Sequence, residues 1–161
     1  MGFGSGMRSS LDFILGVSDD ETVMLDMDDT NFQTVRYWAN RAMNWHNLGG
    51  YIILRSSPGC YHVVFDRRVT WAENMRVVAW VAQLSGNEGL QRWHRMQCIK
   101  MASTLRVSPK GEKPSPRIVR RDGTQEGMIH EFLENRNEAK TVITHIIEQT
   151  CSREVNNIDC I

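Results

Sequence analysis

Residues 51–66 read YIILRSSPGCYHVVFD, two apolar runs of strand length interrupted by Ser57-Pro58-Gly59-Cys60. Proline presets its own φ, and glycine tolerates the positive φ that tight turns require. The runs are therefore predicted to pair as an antiparallel hairpin, Tyr51–Ser56 with Tyr61–Asp66. A hairpin in mid-chain restricts what the rest can build. The segments around it alternate between strand and helix patterns. Together they predict an α+β fold: a mostly antiparallel sheet with this central hairpin, backed by helices.

Thr22–Met27 (TVMLDM) reads as a buried strand that ends in acids. Thr30 or Asn31 can cap a helix running to about Asn47, with Val35, Trp38, Ala42 and Trp45 at helical spacing on its core face. Thr70 and Glu73 have capping-box spacing and open a helix that ends near Gly86. Asn87 caps a shorter helix to about Met96, followed by a strand over Gln97–Val107. Ser108–Pro116 is a loop with three prolines, and Arg117–Arg121 is a short strand. Thr124 to about Arg153 is a long C-terminal helix with a leucine-, isoleucine- and valine-rich face. Leu11–Val17 fits either a helical turn or an edge strand. Residues 1–10 are Gly/Ser-rich and read as a flexible leader, leaving 11–161 as one domain.

A chain of 161 residues, 41% hydrophobic and 24% charged, can bury about two thirds of its unfolded surface and needs no disulfide or metal to fold. Lys plus Arg equals Asp plus Glu at 19 each, so net charge points to no polyanion. The charge is uneven, however. From Arg92 to Arg121 the only acid is Glu112, and such a basic stretch can bind phosphate on a neutral protein. Cys60, Cys98, Cys151 and Cys160 form no C-x-x-C pair and no zinc-spaced cluster, so free thiols in a reducing, cytoplasmic setting are expected. No run of 18 apolar residues spans a membrane.

The chemistry-bearing residues lie at strand ends. Asp26 and Asp28 stand two apart and would face the same side of a strand. Side-by-side carboxylates repel unless a cation lies between them, and Mg²⁺ or Mn²⁺ accepts such oxygens together with substrate phosphates. The same acids also suit a solvated strand-to-helix turn. His62 opens the second hairpin strand, beside Ser56 and Ser57, where it can meet a phosphate or serve the fold. Asp26, Asp28 and His62 are expected to converge on one face of one sheet.

In this order and approximate spacing, MLDMDD at Met24–Asp29 and RSSPGCYHVVFD at Arg55–Asp66 resemble the archaeo-eukaryotic primase superfamily, the primase-polymerases. STLRVSPKG at Ser103–Gly111 stands where that family's third motif would fall, and the resemblance spans about Glu21 to Arg121. It implies a primase-like core containing an RRM-like unit. It also implies metal-dependent nucleotidyl transfer in DNA replication or repair. Its partners would be nucleoside triphosphates, single-stranded or primer-template nucleic acid, and a helicase or other replication protein. Asp26 and Asp28 would hold Mg²⁺ or Mn²⁺ and, with His62, form the catalytic set. Ser56, Ser57 and His62 would bind the nucleotide, and Arg106 and Lys110 would contact phosphates or the template. Ser103 occupies the place of the third carboxylate, which Asp66 or Glu88 would then have to supply.

Two other readings fit parts of the pattern. A core that lacks the third acid but keeps the basic stretch suits a non-catalytic nucleic-acid-binding module. Asp26-Met27-Asp28-Asp29-Thr30 also fits DxDxT, the opening motif of haloacid-dehalogenase-like phosphatases, with Asp26 as nucleophile and Asp28 as acid/base. That reading requires a helix after Ser57 and a later acidic pair.

Overall fold

The antiparallel hairpin organises the structure, a computed structural model that describes residues 14–158. The expected leader and Cys160 lie outside the described residues. In chain order the elements are β1 (Gly16–Asp19), β2 (Met24–Met27), α1 (Phe32–Trp45), β3 (Gly50–Ser57), β4 (Cys60–Phe65), α2 (Trp71–Ser85), α3 (Glu88–Lys100), β5 (Ser103–Arg106), β6 (Arg117–Gly123) and α4 (Met128–Ile158). The fold is α+β, with every strand pairing antiparallel.

β2, β4, β3 and β6 form one four-stranded sheet in that order. β2 thus lies beside β4, not beside its chain neighbour β3, because α1 carries the chain across one face before the hairpin returns. That is the order of a split β-α-β unit. β1 and β5 form a separate ribbon, with Gly16 opposite Arg106 and Asp19 opposite Ser103.

Strand parity sends alternate residues into two cores. Leu25, Met27, Tyr51, Ile53, Val63 and Phe65 face α1, α2 and α3 and pack with Val35, Ala39, Val77, Val78, Val81 and Leu90. Met24, Ile52, Leu54 and Val64 face the other way, against Val17 and Leu105 of the ribbon and Ile129 and Phe132 of α4. Burying a Leu- or Ile-sized side chain is worth about 1.5–3 kcal/mol, so slipping any strand by one residue would exchange the two faces at large cost.

The helix caps follow the sequence. Asn31 accepts the Thr34 amide at 2.9 Å, Thr70 accepts the Glu73 amide at 3.2 Å, and Asn87 accepts the Leu90 amide at 2.9 Å. The expectation fails after Met96. Gln97–Lys100 continue α3, and the strand shrinks to Ser103–Arg106. Met101 adopts a left-handed conformation that ends the helix. The buried Gln97 side chain then accepts the Thr104 amide at 2.9 Å and starts the strand. Leu11–Val17 resolves in part as an edge strand, since Gly16 and Val17 belong to β1. Among the described residues, no helix is long and apolar enough to cross a membrane.

Candidate functional site

β2 ends, β4 begins and the β3–β4 turn closes at one end of the sheet. Asp26 and His62 are register partners there, in a row that continues to Leu54 and Ile118. They share the face that carries Met24 and Val64, toward the β1–β5 ribbon. His62 Nε2 stands 3.6 Å from an Asp26 carboxylate oxygen. The His62 side chain is 6% exposed and that of Asp26 28%. The sequence placed these two side chains together, and the structure does the same.

Asp28 sits just past the strand end and leans on the N-terminus of α3. Its backbone carbonyl accepts Asn87 Nδ2 at 2.7 Å. A methyl group added at Gly89 would lie 2.9 Å from its Cβ, so the glycine makes room for this carboxylate. Asp29, with φ +50°, turns the chain into α1. The N-termini of α1 and α3 therefore both reach this end, where their positive dipole ends favour an anion. Thr30 N donates to the Gly59 carbonyl at 3.1 Å and ties the turn to the same place, with Gly59 at φ +76°.

Burial governs the protonation of the pair. It raises Asp26 from 3.8 to about 7, with repulsion from Asp28 adding to the rise and Arg106 and Lys113 opposing it. Burial, aided by Arg106, lowers His62 to about 3, so the imidazole is neutral at pH 7. A salt bridge between them would have moved both groups in the opposite directions. Desolvation outweighs that attraction, and the contact is one between a neutral imidazole and a carboxyl that shares its proton with solvent near neutrality.

Two of the expected nucleotide contacts, Ser56 and Arg106, hydrogen-bond within the chain, and a third, Lys110, is exposed. Ser56 is buried, and its hydroxyl donates to the Cys60 carbonyl at 3.2 Å inside the turn. Arg106 donates to the carbonyls of Ser108, Pro114 (3.1 Å) and Ser56 (3.3 Å), strapping the 108–116 loop to the hairpin while its charge still reaches Asp26. Lys110 lies at an exposed turn, in a backbone bridge with Lys113. It is Lys113, across that bridge, whose charge acts on Asp26. Nothing in the spacing distinguishes these two lysines, which stand on either side of the turn at Gly111, φ +58°. Ser57 is half-buried at the turn, opposite Cys60.

Neither proposed substitute for the third acid is available. Asp66 is four residues along β4 from His62, about 13 Å away along a strand, and its carboxylate is taken by α4. The Glu88 side chain is 86% exposed, 4.0 Å from Arg92. Ser103 is fully buried, and its hydroxyl has no hydrogen-bond partner. Among the described residues, no three His, Cys, Asp or Glu side chains gather where they could hold a metal. Asp26 and Asp28 remain a two-carboxylate pair. Their repulsion fits one hard cation, with its other positions filled by water and substrate oxygens, but not a closed protein site.

A surface hollow lined by Tyr37, Asn40, Arg41, Asn44 and Trp45 lies on α1, on the opposite face of the sheet from Asp26 and His62. No family model, curated protein or solved structure matches the chain.

Proposed function

We propose that the chain is a primase-polymerase-like protein that binds a nucleoside triphosphate with Mg²⁺ or Mn²⁺ at the Asp26–His62 end of the sheet and transfers the nucleotide to nucleic acid. The observation that carries this reading is the burial of Asp26 against neutral His62, next to Asp28 and under the cations Arg106 and Lys113. A carboxylate left without a hydrogen-bonded partner at the end of a sheet contributes nothing to stability. It suits a site whose missing partner is a ligand.

In this reading Asp26 and Asp28 hold the cation, which would neutralise phosphate charge and polarise the bond to be broken. His62, neutral at pH 7, donates a hydrogen bond to a phosphate oxygen without adding charge. Arg106 keeps the 108–116 loop in place, and Lys113 draws the triphosphate in. The helix N-termini at Asn31 and Asn87 add fixed positive potential.

A non-catalytic module on the same core is favoured by one observation, the missing third carboxylate. The phosphatase alternative is disfavoured by the hairpin, which keeps the residues after Ser57 in a strand and provides no helix there. Primer synthesis and primer extension separate the readings. With Mg²⁺ or Mn²⁺, wild type is expected to incorporate nucleotides, and Asp26→Ala with Asp28→Ala is expected to lose at least 100-fold. Wild type that binds primer-template but incorporates nothing under either metal would overturn the transferase reading in favour of the module.

A further inference from the structure

Where α2 and α3 pack together, three soft donors meet outside the site described above. His94 and Cys98 are one turn apart on α3 and so share a face of the helix. Met75 reaches them from the second turn of α2. Cys98 Sγ stands 3.4 Å from Met75 Sδ and 3.5 Å from His94 Nε2. His94 Nε2 is also 3.1 Å from the Met75 carbonyl oxygen. Met75 packs on the apolar core beneath, which fixes one corner of the triangle, while Cys98 is exposed at its mouth.

We propose that Met75, His94 and Cys98 form a three-coordinate binding site for a soft monovalent cation, Cu(I). The donor set selects the ion. Mg²⁺ and Ca²⁺ need oxygen ligands, and zinc sites are built from thiolate, imidazole and carboxylate. A thioether beside a thiolate is a Cu(I) combination, and the imidazole suits copper as well. The dimensions agree. An ion with metal–sulfur bonds of about 2.3 Å and a metal–nitrogen bond of about 2.0 Å holds three donors roughly 3.7–4 Å apart in a trigonal plane. The observed Cys98–Met75 edge is about 0.6 Å short of that and the Cys98–His94 edge about 0.2 Å, differences on the scale of side-chain rotation.

The binding step balances simply. Cu(I) replaces the proton on the Cys98 thiol, one proton leaves per ion bound, and no electron moves. His94 gives up the hydrogen bond that Nε2–H donates to the Met75 carbonyl, and its single ring proton moves to Nδ1, which leaves the Nε2 lone pair for the ion and the proton count unchanged. The site is separate from the acidic one. Cys98 is nine residues beyond Gly89, which touches Asp28, or about 14 Å along the helix. Loss of copper binding therefore leaves the nucleotide reading untouched.

The test is an anaerobic titration of the full, reduced chain with Cu(I) against a chromophoric Cu(I) chelator. Wild type is expected to hold one equivalent tightly. Cys98→Ser should weaken that equivalent at least 100-fold, and Met75→Leu and His94→Gln about 10-fold or more each. Cys60→Ser, Cys151→Ser and Cys160→Ser should leave it in place. X-ray absorption of the wild-type complex should report two sulfur neighbours and one nitrogen. Met75→Leu binding as tightly as wild type would overturn the proposal, as would a tight equivalent that survives Cys98→Ser. So would a copper with one sulfur neighbour. Cys98 is exposed and Met75 and His94 are half-buried, and unchanged circular dichroism of the variants separates lost ligation from lost fold.

Discussion

Two aspartates at opposite ends of the sheet, Asp66 buried after β4 and Asp26 half-buried on β2, live in opposite circumstances. Asp66 accepts Thr124 Oγ1 at 2.7 Å, the Gly127 amide at 2.9 Å and the Ile129 amide at 3.2 Å, and its own carbonyl accepts the Met128 amide at 2.8 Å. Every donor it meets lies in residues 124–129, the segment that leads into α4 and its first residues. Asp26 has a neutral imidazole at 3.6 Å, a repelling carboxylate nearby and the more distant charges of Arg106 and Lys113, but accepts no hydrogen bond among the described residues. Both are acids at a strand end next to a helix start, and composition cannot tell them apart. Hydrogen-bond satisfaction can. A buried carboxylate with three donors holds the fold together, whereas one with none costs stability and is kept for what it binds.

The largest effect should come from breaking the satisfied one. Asp66→Ala orphans two amides at the first turn of α4 and a threonine hydroxyl, and is expected to lose about 3–5 kcal/mol of unfolding free energy in urea. A loss below about 1 kcal/mol would remove the distinction drawn here.

Asp26→Asn should act in the other direction. The folded state raises the Asp26 pKa from 3.8 to about 7, so the native protein binds more protons than the unfolded chain between those values. Wild type therefore loses stability through this group as pH rises from about 4 to 7. The rise sets a ceiling of about 4 kcal/mol, and with 28% of the side chain exposed, screening by water brings the expected gain of the variant to about 1–2 kcal/mol at pH 8. At pH 4 the gain should vanish. Chemical denaturation at both pH values measures it, and a variant less stable than wild type at pH 8 would contradict the account.

His62 works with the reverse sign. Its pKa is lowered from 6.5 to about 3, so the unfolded chain takes up the proton first and stability falls as pH drops from about 6.5 toward 3. In wild type this opposes the Asp26 dependence over the shared range. Removing Asp26 should expose it: Asp26→Asn is expected to lose stability steadily below pH 6.5, where wild type is nearly flat. A flat profile in both proteins would show that His62 is not held neutral by burial.

The smallest expected effect compares the two lysines of the 108–116 turn. Lys113→Ala should weaken nucleotide binding several-fold at low salt, and Lys110→Ala by less than two-fold, because only Lys113 acts on Asp26. Isothermal titration at two salt concentrations would show it, with the difference shrinking as salt rises. Equal effects would mean that the turn presents both lysines alike.

Much of this was readable in the residues. Strand alternation, the Pro58-Gly59 turn and the caps at Asn31, Thr70 and Asn87 act within a few residues of themselves, so they determined the hairpin, three helices and the α+β class. The motif order put His62 with Asp26; Asp28 falls past the end of β2, where strand parity no longer fixes its side. What local pattern could not decide was which strand lies next to which. Pairing β2 with β4 makes Asp26 and His62 register partners, and that choice depends on α1 packing across the sheet, a contact between residues far apart in the chain. Protonation follows the same rule. An aspartate in a sequence is an ordinary acid; only the depth of the fold around Asp26, and the donors that reach Asp66 instead, made one a proton-sharing group near neutral pH and the other an anchor for a helix.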